Sequence, residues 1–165
     1  MTARFRHIQD IASAALWRQI PVEPDAGWLA TVVDEPRFGW DWSALEKGFF
    51  APLRAWAAHH DMRLRPVLAG LLIEALGQDP ARYADILAAL ELQYQSAIML
   101  DDLRNGPDLT SSTAAAISVP LPVWVTIAYN TRQLAPVLVM RWASGLPDAA
   151  RVRLAHRFAR FLLQQ

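Results

Sequence analysis

Asp101 and Asp102 stand side by side near the end of a stretch, 80–105, that reads as a helix. Stepping by three or four residues puts Tyr83, Leu87, Leu90, Tyr94, Ala97 and Asp101 on one face, so an apolar stripe, expected to point inward, closes on a carboxylate. Acids at such a place are costly in a dry core unless a cation or a hydrogen-bond donor meets them. Aspartates at a helix end are hard oxygen ligands of the kind Mg²⁺ takes, and Mg²⁺ usually brings a phosphorylated ligand with it. The plain alternative is a solvated helix end, because paired aspartates are mostly surface residues. His59 and His60 are also metal-ligand types. As neighbours on a helix they point different ways, which favours solvated or capping roles.

The elements that must carry these residues can be read from spacing and punctuation. Phe5, Ile8, Ile11, Ala12, Ala15 and Leu16 predict a first helix over 3–18. Residues 21–42, rich in Pro, Gly, Asp and Trp, read as an irregular segment held by Trp28, Trp40 and Trp42, with a protein contact as the alternative use of those indoles. Ser43 and Glu46 form an S-x-x-E capping box for a helix to about His60, with Leu45, Phe49, Leu53 and Trp56 inward and Pro52 expected to kink or divide it. Arg63, Arg65 and Pro66 open a helix that Gly77 stops. Asp79 caps the next, with Pro80 at its first position. After a loop at 106–112, in which Thr110, Ser111 or Ser112 can cap, Pro120 and Pro122 start a long helix to about Trp142, interrupted or bent at Pro136. A turn at 145–148 leads to a last amphipathic helix, 149–165, whose Arg151, Arg153, Arg157 and Arg160 form a wet face and which reads as cut short.

Strand-like alternation is nowhere sustained, so the expected fold is all-α, an antiparallel bundle of about six or seven helices. A chain of 165 residues, 53% of them hydrophobic, buries one good core, which predicts a single domain over 1–165. Sixteen basic and sixteen acidic side chains cancel, leaving no electrostatic case for nucleic acid or an anionic membrane surface. The absence of cysteine excludes disulfides and thiolate metal sites and makes the cytoplasm the default compartment. The first residues lack the apolar core and cleavage site of a signal peptide. Residues 114–131 come nearest to a membrane span, but their prolines and polar residues suit a buried helix better.

The order Arg63-Leu64-Arg65-Pro66, then Glu74-Ala75-Leu76-Gly77-Gln78-Asp79-Pro80, then Asp101-Asp102 resembles the polyprenyl diphosphate synthases, the trans-prenyltransferase branch of the class I isoprenoid synthases. That family's pattern is a GKRxRP turn, a helix, an EALGGDP turn, and a helix ending in DDxxD. The likeness is clearest over residues 63–102, and Val119-Pro120-Leu121 resembles the turn that opens the family's next long helix. Asp61-Met62 replaces the family's Gly-Lys, Leu100 its frequent histidine, and Asn105 the third aspartate; the later arginine pair and the second aspartate-rich motif are absent from this sequence.

The resemblance implies a half-length isoprenoid-synthase-like fold. It implies Mg²⁺ held by Asp101, Asp102 and Asn105, and a prenyl diphosphate bound with help from Arg63 and Arg65, whose guanidinium forks match phosphate. Tyr94, Ser96 and Ala97 would flank the hydrocarbon tail; close helix packing is the alternative reason for the two small residues. Activity would be prenyl transfer, complete only with a complementary chain as a homo- or hetero-oligomer. Loss of donors for a second diphosphate keeps open a terpene cyclase-like subunit, and the degenerate motif keeps open a non-catalytic subunit of a heteromeric synthase.

Overall fold

The expected helix over 3–18 forms as α1 (Ala3–Gln19), with Ile8, Ala12, Ala15 and Leu16 buried at the predicted spacing. The computed structural model describes residues 3–23, 27–28, 39, 41–59, 63–105 and 119–162; His60, Met62, Trp40 and the candidate caps Thr110, Ser111 and Ser112 lie outside them. Among the described residues there are helices and turns and no strand, as the sequence pattern requires.

The second helix starts earlier than the S-x-x-E motif predicts. Asp41, not Ser43, caps it, its Oδ1 accepting the Ala44 N–H at 3.0 Å, while Glu46 pairs with Arg54 instead of closing a capping box. This element, α2, runs as Trp42–Leu45, a wider π-turn over Glu46–Phe50, and Ala51–His59. Pro52 does not divide it. The π-turn lies just before the proline, with the Ala51 N–H bonded to the Glu46 carbonyl five residues back, and this looser winding adapts the helix to a ring that cannot donate.

Helix α3 (Leu64–Ala75) ends as predicted at Gly77, whose φ of +74° is the left-handed conformation glycine adopts without penalty. The Gln78 N–H reaches the Ile73 carbonyl and the Gly77 N–H that of Glu74, a Schellman closure. Asp79 then accepts the Ala81 N–H, and Pro80–Tyr83 forms a tight 3₁₀ turn leading into α4 (Ala84–Asn105). Helices α5 (Leu121–Ala143, passing through Pro136) and α6 (Asp148–Leu162) complete the described chain.

Helices α4 and α5 run antiparallel at the centre. Ser96 Oγ donates to the Ala128 carbonyl at 3.0 Å, Arg141 pairs with Asp85, and Trp142 Nε1 donates to the Arg82 carbonyl. Between these ties lies the core, where Ala88, Leu92, Met99, Ile127, Ala128 and Leu138 are buried. Trp56 of α2 meets Trp124 of α5 edge to face at 5.0 Å, and Gln19 of α1 joins the Asp85–Arg141 pair. Helix α1 also backs α3 in antiparallel register: Arg4 pairs with Glu74, and Gly70 lies so close to Ile8 that a Cβ there would run into the Ile8 side chain.

That contact yields a stability prediction. Gly70→Ala gains about 1 kcal/mol of helix propensity but overpacks a stiff β-branched neighbour at a cost of about 1–3 kcal/mol, so a net loss is expected in urea denaturation. Ile8→Ala should make the glycine substitution favourable, giving a coupling that a double-mutant cycle reads directly.

Candidate functional site

The acidic end of α4 and the apolar stripe leading to it form the candidate site, and the stripe faces inward only in part, its later residues turning to solvent against the sequence expectation. Leu87 is buried as predicted, but Leu90 is 40% exposed, Tyr94 is half-buried, and Ala97 and Asp101 are exposed. The inward face is instead Ala88, Glu91, Leu92, Gln95, Ser96 and Met99. Polar residues misled the reading. Glu91, Gln95 and Ser96 look like a solvent face by type, yet each finds a partner inside: Ser96 in the Ala128 carbonyl, Gln95 and Arg63 in the Glu91 carboxylate.

Arg63 is the decisive partner. It is buried, sits at the N-cap of α3 with a left-handed backbone (φ 46°), and donates one guanidinium nitrogen to Glu91 Oε1 at 3.0 Å and another to the Ala57 carbonyl at 2.9 Å. Its guanidinium also lies 5.9 Å from the Trp17 ring centroid. The end of α2, the start of α3 and the middle of α4 therefore meet at one ion pair whose side chains are 2% and 1% exposed. Glu91 Oε2 and Gln95 Oε1 accept nothing from the described atoms, so the pair's geometry must be held by the bonds that are made. Sequence reasoning missed Glu91. The available signal was a lone carboxylate between Leu90 and Leu92, one turn from Leu87, which needs a cation if it turns inward.

The remaining predicted site residues divide. Arg65, two positions after Arg63, is exposed and stacks over Tyr94, with 3.7 Å between its guanidinium carbon and the ring centroid. This cation–π contact joins the start of α3 to the stripe of α4. Ser96 is fully buried against α5 and takes no part in the outer surface, so Ser96 and Ala97 do not line one passage. Asp101 is exposed and Asp102 half-buried at the last turn of α4; the side chain of Asn105 lies outside the described residues. His59 is exposed, its Nδ1 2.8 Å from the Ala55 carbonyl, in keeping with a helix-end role.

What remains on the surface is Leu90, Tyr94 and Ala97 leading along α4 to Asp101, with Arg65 over the aromatic ring. Among the described residues no three His, Asp or Glu side chains cluster tightly enough to cage a metal. An adjacent aspartate pair suits an ion that brings phosphate oxygens and water as its other ligands, which is how Mg²⁺ is commonly bound. A shallow groove along α5, lined by Pro136, Val137, Met140, Arg141 and Ser144, shares no residue with this surface. No described helix is long and apolar enough to cross a membrane.

Removing one member of the buried pair tests its role. Arg63→Ala should destabilise the fold by about 3–5 kcal/mol, because Glu91 is then left as an uncompensated buried charge. Arg63→Met with Glu91→Leu should recover most of that loss, measured as a shift in denaturation midpoint. No protein-family model, curated protein or solved structure matches this chain.

Proposed function

We propose that this chain is an isoprenoid-synthase-like helical subunit that binds a prenyl diphosphate through Mg²⁺ for ionisation and prenyl transfer, and that its site is completed by a partner chain. The observation that carries the reading is the outward stripe Leu90, Tyr94 and Ala97 ending at Asp101, with Arg65 stacked on Tyr94. A prenyl diphosphate has the same polarity, hydrocarbon at one end and concentrated negative charge at the other. Over the two turns from Tyr94 to Asp101 the stripe covers about 10 Å, the length of a short prenyl tail.

In this reading Asp101 and Asp102 hold the ion, with Asn105 as a neutral third donor. Bound Mg²⁺ would supply neutralisation of the diphosphate as it departs from an allylic carbon. The chain's own residues have simpler tasks. Leu90 and Ala97 shield the tail from water, the Tyr94 ring supports its middle, and Arg65 offers an exposed cation at the edge. The partner chain covers the tail's open side, since a stripe on one helix cannot enclose it.

A specific observation favours a second reading, a non-catalytic subunit of a heteromeric prenyl diphosphate synthase. Arg63 is the residue that corresponds to the family's diphosphate-binding arginine, and both its terminal nitrogens are engaged inside the protein by Glu91 and Ala57. Arg65 inherits the role only at the edge of the surface.

Titration with a non-hydrolysable prenyl diphosphate analogue, with and without Mg²⁺, decides whether the site exists. Binding should require Mg²⁺ and weaken about tenfold or more in Asp101→Ala and in Asp102→Ala, with Arg65→Ala intermediate. Unchanged affinity in both aspartate variants would reduce the acids to a polar helix end. Product analysis with the partner chain present then separates elongation from cyclisation, and Mg²⁺-dependent binding without product supports the non-catalytic subunit.

A further inference from the structure

Sixteen acids and sixteen bases cancel over the whole chain but not along it. Helix α6 carries four arginines against one acid, Asp148, and residues 149–165 contain no other Asp or Glu, so the rest of the chain is net acidic. Arg151 leaves the expected wet face: it is half-buried and pairs with Asp148. Leu154 and Ala155 are half-buried on the same side of the helix, and Leu154 packs against the core. Arg153, His156, Arg157 and Arg160 lie on the other side. All four are exposed, and among the described residues none of them makes an ion pair or hydrogen bond. At 3.6 residues per turn they share about 100° of the helix circumference, over a rise of about 10 Å.

We propose that this face docks the chain on an anionic lipid surface, α6 lying along the headgroup layer with Arg153, Arg157 and Arg160 on the phosphates. Charge complementarity carries the assignment. Guanidinium forks match phosphate oxygens, and each basic side chain held at an anionic leaflet strengthens binding about fivefold. Three of them give a preference of about a hundredfold over a neutral bilayer. The outward side of α6 favours lipid over nucleic acid. Val152, 53% exposed, and Ala149 lie there with the basic residues, and a headgroup layer takes apolar and cationic groups together, whereas a phosphodiester backbone meets only the cations. A stripe this short also spans few phosphates, and binding to DNA is built from many. No described helix can cross a bilayer, so the contact is peripheral. The acidic balance of the rest of the chain is repelled by the same surface, which orients the molecule with α6 toward it.

This inference goes beyond the prenyl diphosphate reading and shares no residue with it; its test contains no prenyl ligand, so either can fail alone. The full chain should co-sediment with phosphatidylcholine vesicles containing about 30% phosphatidylglycerol, not with phosphatidylcholine alone, and about 0.5 M salt should release it. Arg157→Glu with Arg160→Glu should weaken binding at least about tenfold while circular dichroism and the melting transition stay those of the wild type. Arg18→Glu with Arg82→Glu changes the charge equally at exposed positions away from α6 and should weaken binding less. No binding to the anionic vesicles, equal binding to neutral ones, or a loss no greater in the α6 variant than in that control would each overturn the proposal. So would an oligonucleotide that binds the chain more tightly, per phosphate, than the vesicles do.

Discussion

The rotation of α4 about its own axis depends on one buried ion pair. Glu91 can be ionised in the interior only where a cation and further donors meet it, and Arg63 from the start of α3, with Gln95 one turn along α4, does so. With Glu91, Leu92, Gln95 and Met99 inward, Leu90, Ala97 and Asp101 turn toward solvent, while Tyr94, one turn from Glu91, stays half-buried at the boundary between the two faces. The same pair fixes where α3 begins. Arg63 tolerates a left-handed backbone because its side chain is anchored at two points, on Glu91 and on the Ala57 carbonyl of α2. A polar interaction therefore sets both the interior and the exposed surface.

Around that pair the packing is ordinary and strong. Small residues, Ala88, Ser96 and Ala128, let α4 and α5 lie close, and the Ser96 hydroxyl satisfies itself on α5. At the other end of the two helices, Asp85, Arg141 and Gln19 bind α1 into the assembly through a half-buried network. With α4 held between α5 and α1 and tied to α3 through Arg63, its exposed stripe is a stable surface. Stable presentation is what a binding surface on a rigid element requires.

Two apolar surfaces result: α4 buries Glu91 and turns Leu90 outward, and α3 buries Pro66, Val67 and Gly70 and exposes Leu64, Leu68, Leu72 and Leu76. On α4 the exposed stripe ends in acids and carries an aromatic ring under Arg65; on α3 it is uniform leucine without an internal charge.

How much of this was legible in the sequence depends on the range of the forces involved. Local signals carried helix identity: Gly77 at its positive φ, Asp79 and Pro80 at their turn, and the alternating Ile8, Ala12 and Leu16 of α1 act through the backbone or within one turn, and the structure agrees with them. Asp41 displaced Ser43 as the cap because the helix begins two residues earlier, where the Asp41 carboxylate reaches the Ala44 amide, a choice between two cap-forming residues that composition does not resolve. The face of α4 was not legible. Its apolar residues are spread almost evenly around the axis, so the choice between Leu90 inward and Glu91 inward rested on a partner 28 positions away. The candidate acids were visible from their spacing alone; the engagement of Arg63 inside the protein, the burial of Ser96 and the exposure of the α3 leucines were decided only when the helices packed, because desolvation is a property of neighbours in space.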